Sequence, residues 1–417
     1  MLTHLPYGKT HLPIEAPQER IMVSKVDDIP KAASEDALVL AAMANPIGSA
    51  PLHELAKGKK SCTLIISDHT RPVPSRCIVP HMLAELRAGN PDIDITLLVA
   101  TGLHRDTTKS ELATKLGETI ANSEKIVVHN AYAEEQNVFL GTLPSGAPLY
   151  IDKLAVECDL LIAEGFIEPH FFAGFSGGRK SVLPGVCGKE TVLGNHCGAF
   201  IASEKARTGI LEGNPIHIDM EAAAEMAKLA YIVNVVIDSE KHAAAAFAGG
   251  FRAAHAAGVD FLRNYCEVPA VMGDIVVTSN GGAPLDQNLY QCVKGMTAAE
   301  AACAPGGTII LCAEIADGMG GEGFYRQLKD CESPAALYEQ FSATPQKDTA
   351  PDQWQSQILA RVLMHHRVIV VTGAKMREKI LEMKMEHAET LEEALAMAGK
   401  GSLTVIPDGV SIMVKNG

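Results

Sequence analysis

Short apolar runs alternate along the chain with longer segments in which apolar residues recur at helical spacing or alanine predominates. Runs rich in valine, isoleucine and leucine predict buried strands, and the segments between them predict helices. This order predicts an α/β protein with parallel or mixed sheets flanked by helices. The predicted strands are 62–67, 95–100, 125–129, 159–163, 231–237, 274–278, 308–312, 367–372 and 403–406. The predicted helices are 77–88, 110–116, 218–229, 243–259, 296–304 and 390–398.

A boundary between two domains is expected near residues 268–272, after an alanine-rich segment that extends from residue 240 to residue 261. This segment predicts a long helix joining the domains, although Gly249 and Gly250 lie inside it. Residues 1–268 then form an N-terminal α/β domain, and residues 269–417 form a C-terminal α/β domain. A chain of 417 residues is long enough for two such units.

Most predicted strands lead into polar residues of the kinds that take part in catalysis. Asp68 and Arg71 follow the first strand, and His104 follows the second. Asp286, which could also cap a helix, lies beyond a glycine-rich turn in the second domain. In open parallel sheets, ligands bind beyond the carboxyl ends of the strands. We therefore expect an active site in the crevice between the two domains.

The segment from residue 164 to residue 181 combines four phenylalanines with four glycines, which ordinary linkers do not do. Gly177 and Gly178 let the backbone approach an anion closely, and Arg179 and Lys180 add positive charge. The segment differs from a P-loop because Arg179 stands where the second glycine belongs. It predicts a ligand-binding loop, and the alternative is a glycine-rich turn packed by phenylalanines.

Three of the fifteen histidines, His104, His170 and His196, lie in loops that converge if the sheet is doubly wound. A lone histidine is usually a surface or core residue, but three together favour a site for proton transfer or metal binding. For His217, a structural role at a helix start competes with a role in the site. The pair at residues 365–366 is typical of a solvated helix end.

A predicted helix in the second domain carries Tyr290, Gln291 and Lys294, and its polar face has too few apolar groups for a core helix. This face is either solvated or binds a carboxylate across the crevice from Arg71. Arginine suits that role because it donates two parallel hydrogen bonds to a carboxylate. Trp354, the only tryptophan, could wall the pocket or serve as plain packing.

Composition and charge narrow the class of partner. The net charge of −14 argues against binding to nucleic acid or anionic lipid, and it leaves room for a small anionic substrate where cations are concentrated locally. No apolar run is long enough to span a membrane, and the first residues do not resemble a signal peptide. Ten scattered cysteines without a C-x-x-C pair indicate a reducing cytoplasm rather than disulfides or structural zinc.

Together these motifs resemble the lactate racemase family of nickel-dependent 2-hydroxyacid racemases and epimerases. The resemblance covers nearly the whole chain in the same order, and the segment from His170 to Lys180 is its most specific part. The matching motifs are DHTRP at 68–72, GLHR at 102–105, EPHFFAGFSGGRK at 168–180, GNH at 194–196 and DQNLYQ at 286–291.

The resemblance implies a nickel-pincer nucleotide, a pyridinium-3,5-bisthiocarboxylic acid mononucleotide type of cofactor, tethered covalently to Lys180. It implies His196 as the protein's nickel ligand, and His104 and His170 as the groups that exchange the substrate hydroxyl proton. It also implies carboxylate binders, Arg71 and Lys294; pocket residues, Tyr290, Gln291 and Trp354; and residues around the cofactor, Asp68, Gly177, Gly178 and Arg179. Proteins that make and insert the cofactor are then expected partners.

The chemistry agrees with this reading, because inversion of a 2-hydroxy acid by hydride transfer passes through a planar keto acid. Such a route needs a hydride acceptor, a cationic clamp and a base for each enantiomer. We expect Arg179 to lower the pKa of Lys180 and so favour the free amine. The expected activity is racemisation of lactate or another short 2-hydroxy acid. The alternatives are a larger substrate, such as malate or a sugar acid, and a cofactor or nickel carrier without turnover. One departure from the family pattern, Ile218 where an acidic residue is expected, bears on substrate size.

Overall fold

The computed structural model describes residues 1–415. Its strands in the first half are β1 Leu2–Tyr7, β2 Thr10–Glu15, β3 Ser61–Ser67, β4 Asp94–Ala100, β5 Lys125–Val128, β6 Asn137–Thr142, β7 Pro148–Asp152, β8 Leu160–Phe166, β9 Pro169–His170, β10 Gly174–Phe175, β11 Leu229–Ile237 and β12 Ala243–Gly249. Those in the second half are β13 Glu267–Pro269, β14 Gly273–Ser279, β15 Cys303–Cys312, β16 Arg367–Val371, β17 Glu386–Ala388, β18 Leu403–Ile406 and β19 Met413–Lys415.

The helices lie between these strands, as expected for crossover connections. In the first half they are α1 Glu35–Ala44, α2 Leu52–Ala56, α3 Ser75–Gly89, α4 Lys109–Leu116, α5 Glu118–Ser123, α6 Lys153–Val156, α7 Lys189–Asn195, α8 Gly198–Ala202, α9 Pro215–Met226 and α10 Phe251–Cys266. In the second half they are α11 Leu289–Glu300, α12 Glu322–Asp330, α13 Pro334–Ala343, α14 Gln353–His365, α15 Arg377–Glu382 and α16 Leu391–Ala398.

The larger sheet belongs to the first half and has six strands in the order β12-β11-β8-β3-β4-β5. Its strands are parallel except for the edge strand β12, which pairs antiparallel with β11. The central strand β3 has Leu64, Ile65 and Ile66 fully buried, because helices cover both faces of the sheet. The predicted class, an α/β protein with parallel or mixed sheets, is confirmed.

The second sheet is entirely parallel, with five strands in the order β17-β16-β15-β14-β18. The hairpin β1–β2 from the start of the chain packs onto this sheet, where Leu5 and Ile14 join a cluster with Ile275 and Val277. The first residues of the chain therefore pack against the second sheet, although the first sheet follows them in the sequence. We retain the division at residue 268 as a proposal for the chain that follows this hairpin.

The long helix predicted for residues 240–261 is wrong in its first part. Residues Ala243–Gly249 form the edge strand β12, and the helix α10 begins at Phe251. Gly249 has a φ of +135° and lies against the backbone of Ile47, so it ends the strand where a larger residue would collide. The helix propensity of alanine is small, and pairing with a neighbouring strand outweighs it.

Two further predictions in the second half need correction. Asp286 does not cap a helix, because α11 begins at Leu289 and the side chain of Asn288 accepts a hydrogen bond from the Gln291 backbone. The carboxylate of Asp286 instead accepts hydrogen bonds from the backbone N–H groups of Gly8 and Glu314. Residues 303–304, predicted as helix, belong to β15. Among the residues described here, no helix combines the length and apolar character that crossing a membrane requires.

Candidate functional site

A cavity of about 1370 Å³ opens between the two halves, at the carboxyl ends of β3, β4 and β8 and beside the start of α11. This is where doubly wound sheets bind ligands. Most of the residues singled out from the sequence line it: Asp68, Arg71, His104, His170, Gly177, Lys180, His196, Tyr290, Gln291, Lys294 and Trp354.

Among the residues singled out from the sequence, Gly178, Arg179 and Ile218 do not line this cavity. Arg179 is 1% exposed, and its guanidinium points into the protein, where it donates to the backbone carbonyls of Ala173 and Phe175. The guanidinium is therefore directed away from the cavity, and the expectation that Arg179 contacts the cofactor stays a prediction. Gly178 lies behind the cavity wall, where an added side chain would meet the ring of His255. Ile218 is 45% exposed on α9 and lies away from the cavity.

His104 and Asp68 form an oriented pair at the ends of β4 and β3. The His104 Nδ1–H group donates to Asp68 Oδ2 at 2.7 Å, which leaves Nε2 without a proton in the neutral ring. Burial alone would raise the pKa of Asp68, but the hydrogen bond and charge of His104, with Arg71 and Thr70, hold it below its usual range. Asp68 is therefore ionised, and it fixes His104 in the tautomer of a base.

His170 has the opposite arrangement. Its Nδ1 accepts a hydrogen bond of 3.3 Å from the Ala173 N–H group, which places the proton of the neutral ring on Nε2. Burial, followed by the charges of Lys180 and Lys294, lowers the pKa of His170 well below its ordinary value. In this state His170 is a neutral hydrogen-bond donor, and only His104 is arranged as a base.

Lys180 follows a tight loop that glycines make possible. Gly177 has a φ of +76°, and a Cβ atom there would lie 2.8 Å from the Phe166 carbonyl oxygen. The chain then enters a short 3₁₀ turn, Gly178–Ser181, which sets Lys180 at the cavity with its Nζ 5.7 Å from the Phe172 ring centroid. Burial, then Arg179, Arg71 and Lys294, lowers the pKa of Lys180 well below its ordinary value, which favours the free amine over the ammonium form.

His196 lies between two aromatic rings, one from each half of the chain. Phe172 and Trp354 each approach it with ring centroids 5.1 Å apart in edge-to-face geometry. Burial, with the charge of Lys180, lowers the pKa of His196 to about 3, so the imidazole is neutral, as a metal ligand must be. Its Nδ1 is buried and has no hydrogen-bond partner among residues 1–415.

The helices around His196 are joined to the second half by two glutamines. Gln346 Nε2 donates to the carbonyl of Gly194 at 3.0 Å, and Gln357 Nε2 donates to the carbonyl of Gly198 at 2.9 Å. These carbonyls lie two residues before and two residues after His196. The second half of the chain therefore holds the backbone that carries this histidine.

The substrate side of the cavity is cationic. Burial, with the nearby charge of Arg71, lowers the pKa of Lys294 to about 8, against the opposing effect of Glu168. Burial also raises the pKa of Glu168 and of Tyr290. A lysine with this pKa is mostly charged at pH 7 and can bind an anion beside Arg71.

Two residues of the cavity were missed in the sequence. Glu164, at the end of β8, accepts hydrogen bonds from the Ser67 N–H and hydroxyl groups and from the Ser75 hydroxyl, so it joins the ends of β3 and β8. Lys115 on α4 donates from its Nζ to the Arg71 carbonyl at 3.2 Å. A carboxylate inside an otherwise apolar strand was the available signal for Glu164; for Lys115 the sequence offers none.

One more residue singled out from the sequence, His217, lies outside the cavity. His217, in the first turn of α9, accepts a hydrogen bond from Arg179 Nε, and the cap of this helix is Asn214. Asp238, Glu240 and His242, at an exposed turn, form the single group of three within residues 1–415 whose side chains could chelate a metal. His196 belongs to no such group, so it can supply one ligand only.

The fold and the cavity define an α/β enzyme with a cationic cavity between its halves, lined by a lysine of lowered pKa and by two differently arranged histidines. The family model for the lactate racemase N-terminal domain matches residues 7–209, and that for the lactate racemase C-terminal domain matches residues 268–414. The chain belongs to the lactate racemase family.

Curated relatives match along the whole chain. It is 51% identical to the lactate racemase of Thermoanaerobacterium thermosaccharolyticum over 99% of its length and 98% of the relative. It is 50% identical to the lactate racemase of Lactiplantibacillus plantarum over 99% of both chains. The structure matches that of the lactate racemase apoprotein from T. thermosaccharolyticum with a TM-score of 0.96 over 100% of both chains. A Thermotoga maritima protein at 18% identity and a TM-score of 0.71, covering 92% of this chain and 98% of its own, shares the fold.

Proposed function

We propose that this protein is a lactate racemase, which interconverts the D and L enantiomers by hydride transfer. The observation that carries the proposal is the lining of a single cavity by an Asp68-oriented His104, by His170 and by the cations Arg71 and Lys294. The relatives support the proposal, because the two curated proteins that are about half identical to this chain along nearly their whole length are lactate racemases.

Substrate binding falls to Arg71 and Lys294. A guanidinium presents a planar pair of donors to a carboxylate, and the lysine adds a second positive charge. Tyr290, Gln291 and Trp354 complete the wall next to them. Because the carboxylate is fixed, the carbon that bears the hydroxyl group can be held in one place while its hydrogen leaves and returns.

Proton transfer begins at His104. Its Nε2 lone pair takes the substrate's hydroxyl proton as the carbon–hydrogen bond breaks, and the ionised Asp68 stabilises the imidazolium that forms. His170 donates a hydrogen bond from Nε2 to the same oxygen. To serve as the base for the other enantiomer, His170 must take up its other tautomer, with the proton on Nδ1.

Lys180 and His196 are the residues that would hold the cofactor, a nickel-pincer nucleotide of the pyridinium-3,5-bisthiocarboxylic acid mononucleotide type. The lowered pKa of Lys180 favours the free amine that a covalent tether needs, and the neutral imidazole of His196 fits a nickel ligand. When bound, the cofactor supplies the hydride acceptor that the protein's own side chains lack. Proteins that make and insert the cofactor are the partners this proposal requires.

The competing functions are less well supported. A racemase for malate or a sugar acid and a nickel carrier without turnover both differ from the activity of the relatives. A carrier would also have no use for an oriented His104–Asp68 pair. A cytoplasmic location agrees with the ten free cysteines, although most of them are buried.

The test is a racemisation assay on the full-length protein produced together with cofactor-making proteins. D-lactate, L-lactate, malate and a sugar acid are offered separately, and chiral chromatography follows both enantiomers. We expect lactate to racemise from either side and the larger acids to react at least tenfold more slowly. Faster turnover of malate or the sugar acid, or none of any substrate by cofactor-loaded protein, would overturn the proposal.

A further inference from the structure

Arg179 carries a buried positive charge that no carboxylate neutralises by direct contact in the described part of the chain. Its side chain is 1% exposed, and burial lowers its pKa to about 9. A buried charge is costly unless hydrogen bonds compensate it. The contacts of the guanidinium group are therefore expected to have a purpose.

Several of those contacts are made with backbone carbonyls of the loop that precedes Lys180. Arg179 Nη2 donates to the Ala173 carbonyl at 2.8 Å, and Nη1 donates to the carbonyls of Phe175 at 2.8 Å and Gly177 at 3.2 Å. The loop thus curves around the guanidinium. Because the five N–H groups of arginine have a fixed planar geometry, they impose one shape on the carbonyls that they bind.

Two neutral histidines also lie against the guanidinium group. Arg179 Nε donates to His217 Nδ1 at 3.0 Å, and Nη1 lies 3.1 Å from His255 Nε2. Burial, followed by the charge of Arg179, lowers the pKa of each histidine to about 3. His217 therefore accepts a hydrogen bond without adding charge. His255 Nε2 also lies 2.8 Å from the Ser176 carbonyl oxygen, so in the neutral ring it donates to that carbonyl. The positive charge of Arg179 persists one residue from Lys180.

We propose that Arg179 is a positioning residue, whose guanidinium shapes the loop from Ala173 to Gly177 and whose unneutralised charge keeps the amine of Lys180 free to form the cofactor tether. The proposal rests on the function proposed above. It differs from the sequence-based expectation because Arg179 acts from behind the loop and does not contact the cofactor.

Other charged groups also face the Lys180 amine and enter its pH dependence. Arg71 and Lys294 disfavour its protonation, and Glu168 favours it. His170 and His196 remain neutral over the working range, because burial lowers the pKa of both. Arg71, Lys294 and Glu168 are unchanged when Arg179 is replaced, so a change in the titration of Lys180 would report the loss of Arg179.

The test measures the reactivity of Lys180 in the full-length protein before the cofactor is loaded. A trace of an acetylating reagent is applied between pH 6 and pH 10, and mass spectrometry compares the Lys180 peptide with peptides from exposed lysines of the same molecule. In Arg179→Gln, we expect half-maximal labelling of Lys180 to move to higher pH. Labelling at pH 7 should fall roughly tenfold for each unit of that shift.

Two further variants separate charge from shape. Arg179→Lys keeps a positive charge but lacks the planar set of donors, so we expect faster amide exchange in residues 173–180 and altered maximal labelling. This variant carries the test should Arg179→Gln not fold. Arg20→Gln is the matched control, because Arg20 also donates to backbone carbonyls, of Leu403 and Met272, far from the cavity. It should leave Lys180 labelling unchanged.

The proposal is overturned if Arg179→Gln shows the same Lys180 labelling and the same amide exchange in residues 173–180 as the unchanged protein. Where Arg179→Gln does not fold, the same criterion applies to Arg179→Lys. It is also overturned if Arg20→Gln produces the same changes. Neither measurement needs turnover or bound cofactor. A protein that fails to racemise lactate but responds at Lys180 as described would refute the proposed function and leave this inference standing.

Discussion

At the scale of single residues, the cavity depends on side chains whose protonation has been set by burial and by neighbouring charges. His170 and His196 are neutral because burial lowers the pKa of each, and burial and nearby cations also lower the pKa of Lys180. Asp68 is charged because His104, Arg71 and Thr70 stabilise its carboxylate. The sequence located these residues, but their protonation depends on contacts between segments far apart in the chain.

Replacing Asp68 by asparagine should disable His104 while leaving the fold intact. An asparagine amide that donates to Nδ1 would place the imidazole proton on Nε2, the wrong nitrogen for a base, and cost roughly 10²–10⁴ in kcat. The matched control is Asp152→Asn, since Asp152 pairs with His129 at 2.9 Å outside the cavity. We expect the control to lower the melting temperature but not kcat. Equal kcat losses in both variants would contradict this role.

Deprotonation of Lys294 should lower the activity at alkaline pH. With a pKa of about 8, its ammonium group loses its charge as pH rises through that value, so the carboxylate binds less well. We expect kcat/KM for lactate to fall above about pH 8, mainly through a higher KM. Arginine keeps its proton at these pH values. In Lys294→Arg the alkaline fall should therefore move to higher pH, and an unmoved profile would assign the limit to another group.

At the scale of helices and strands, the hydrophobic pattern predicted the central strands because they are continuous apolar runs buried on both faces. It failed at residues 243–249, where alanines suit a helix and only pairing with β11 makes a strand. It also missed the hairpin β1–β2, whose exposed residues depart from simple alternation. Asp286 looked like a cap, whereas its true partners, Gly8 and Glu314, are not adjacent to it in sequence.

The helix α14 should affect nickel binding through Gln357. Gln357→Leu removes its hydrogen bonds to Gly198 and Ser342, which should cost about 1–3 kcal/mol of stability and loosen the backbone beside His196. Gln353→Leu, one turn earlier, is the control, because Gln353 bonds only to Phe341 and Ala350 of the second half. Metal analysis after dialysis should find less nickel in Gln357→Leu alone. Equal nickel content in both variants would remove Gln357 from this role.

At the scale of the whole molecule, the two sheets share one hydrophobic core. A single buried cluster contains Ile65 and Leu161 from the first sheet with Val276, Ile309 and Val370 from the second. We therefore expect calorimetry to detect one unfolding transition, with the calorimetric and van't Hoff enthalpies equal. Two resolved transitions would mean that residues 1–268 and 269–417 unfold as separate domains.

The central claim is that Lys180 carries the cofactor on which lactate racemisation depends. The most direct measurement combines a racemisation assay with peptide mass mapping of the same sample of active protein. We predict a mass adduct on the peptide that contains Lys180, in proportion to the racemisation rate across preparations. Lys180→Ala should remain folded and have neither adduct nor activity, since a lysine at a cavity wall contributes little packing. An unmodified Lys180 in fully active protein would contradict the account.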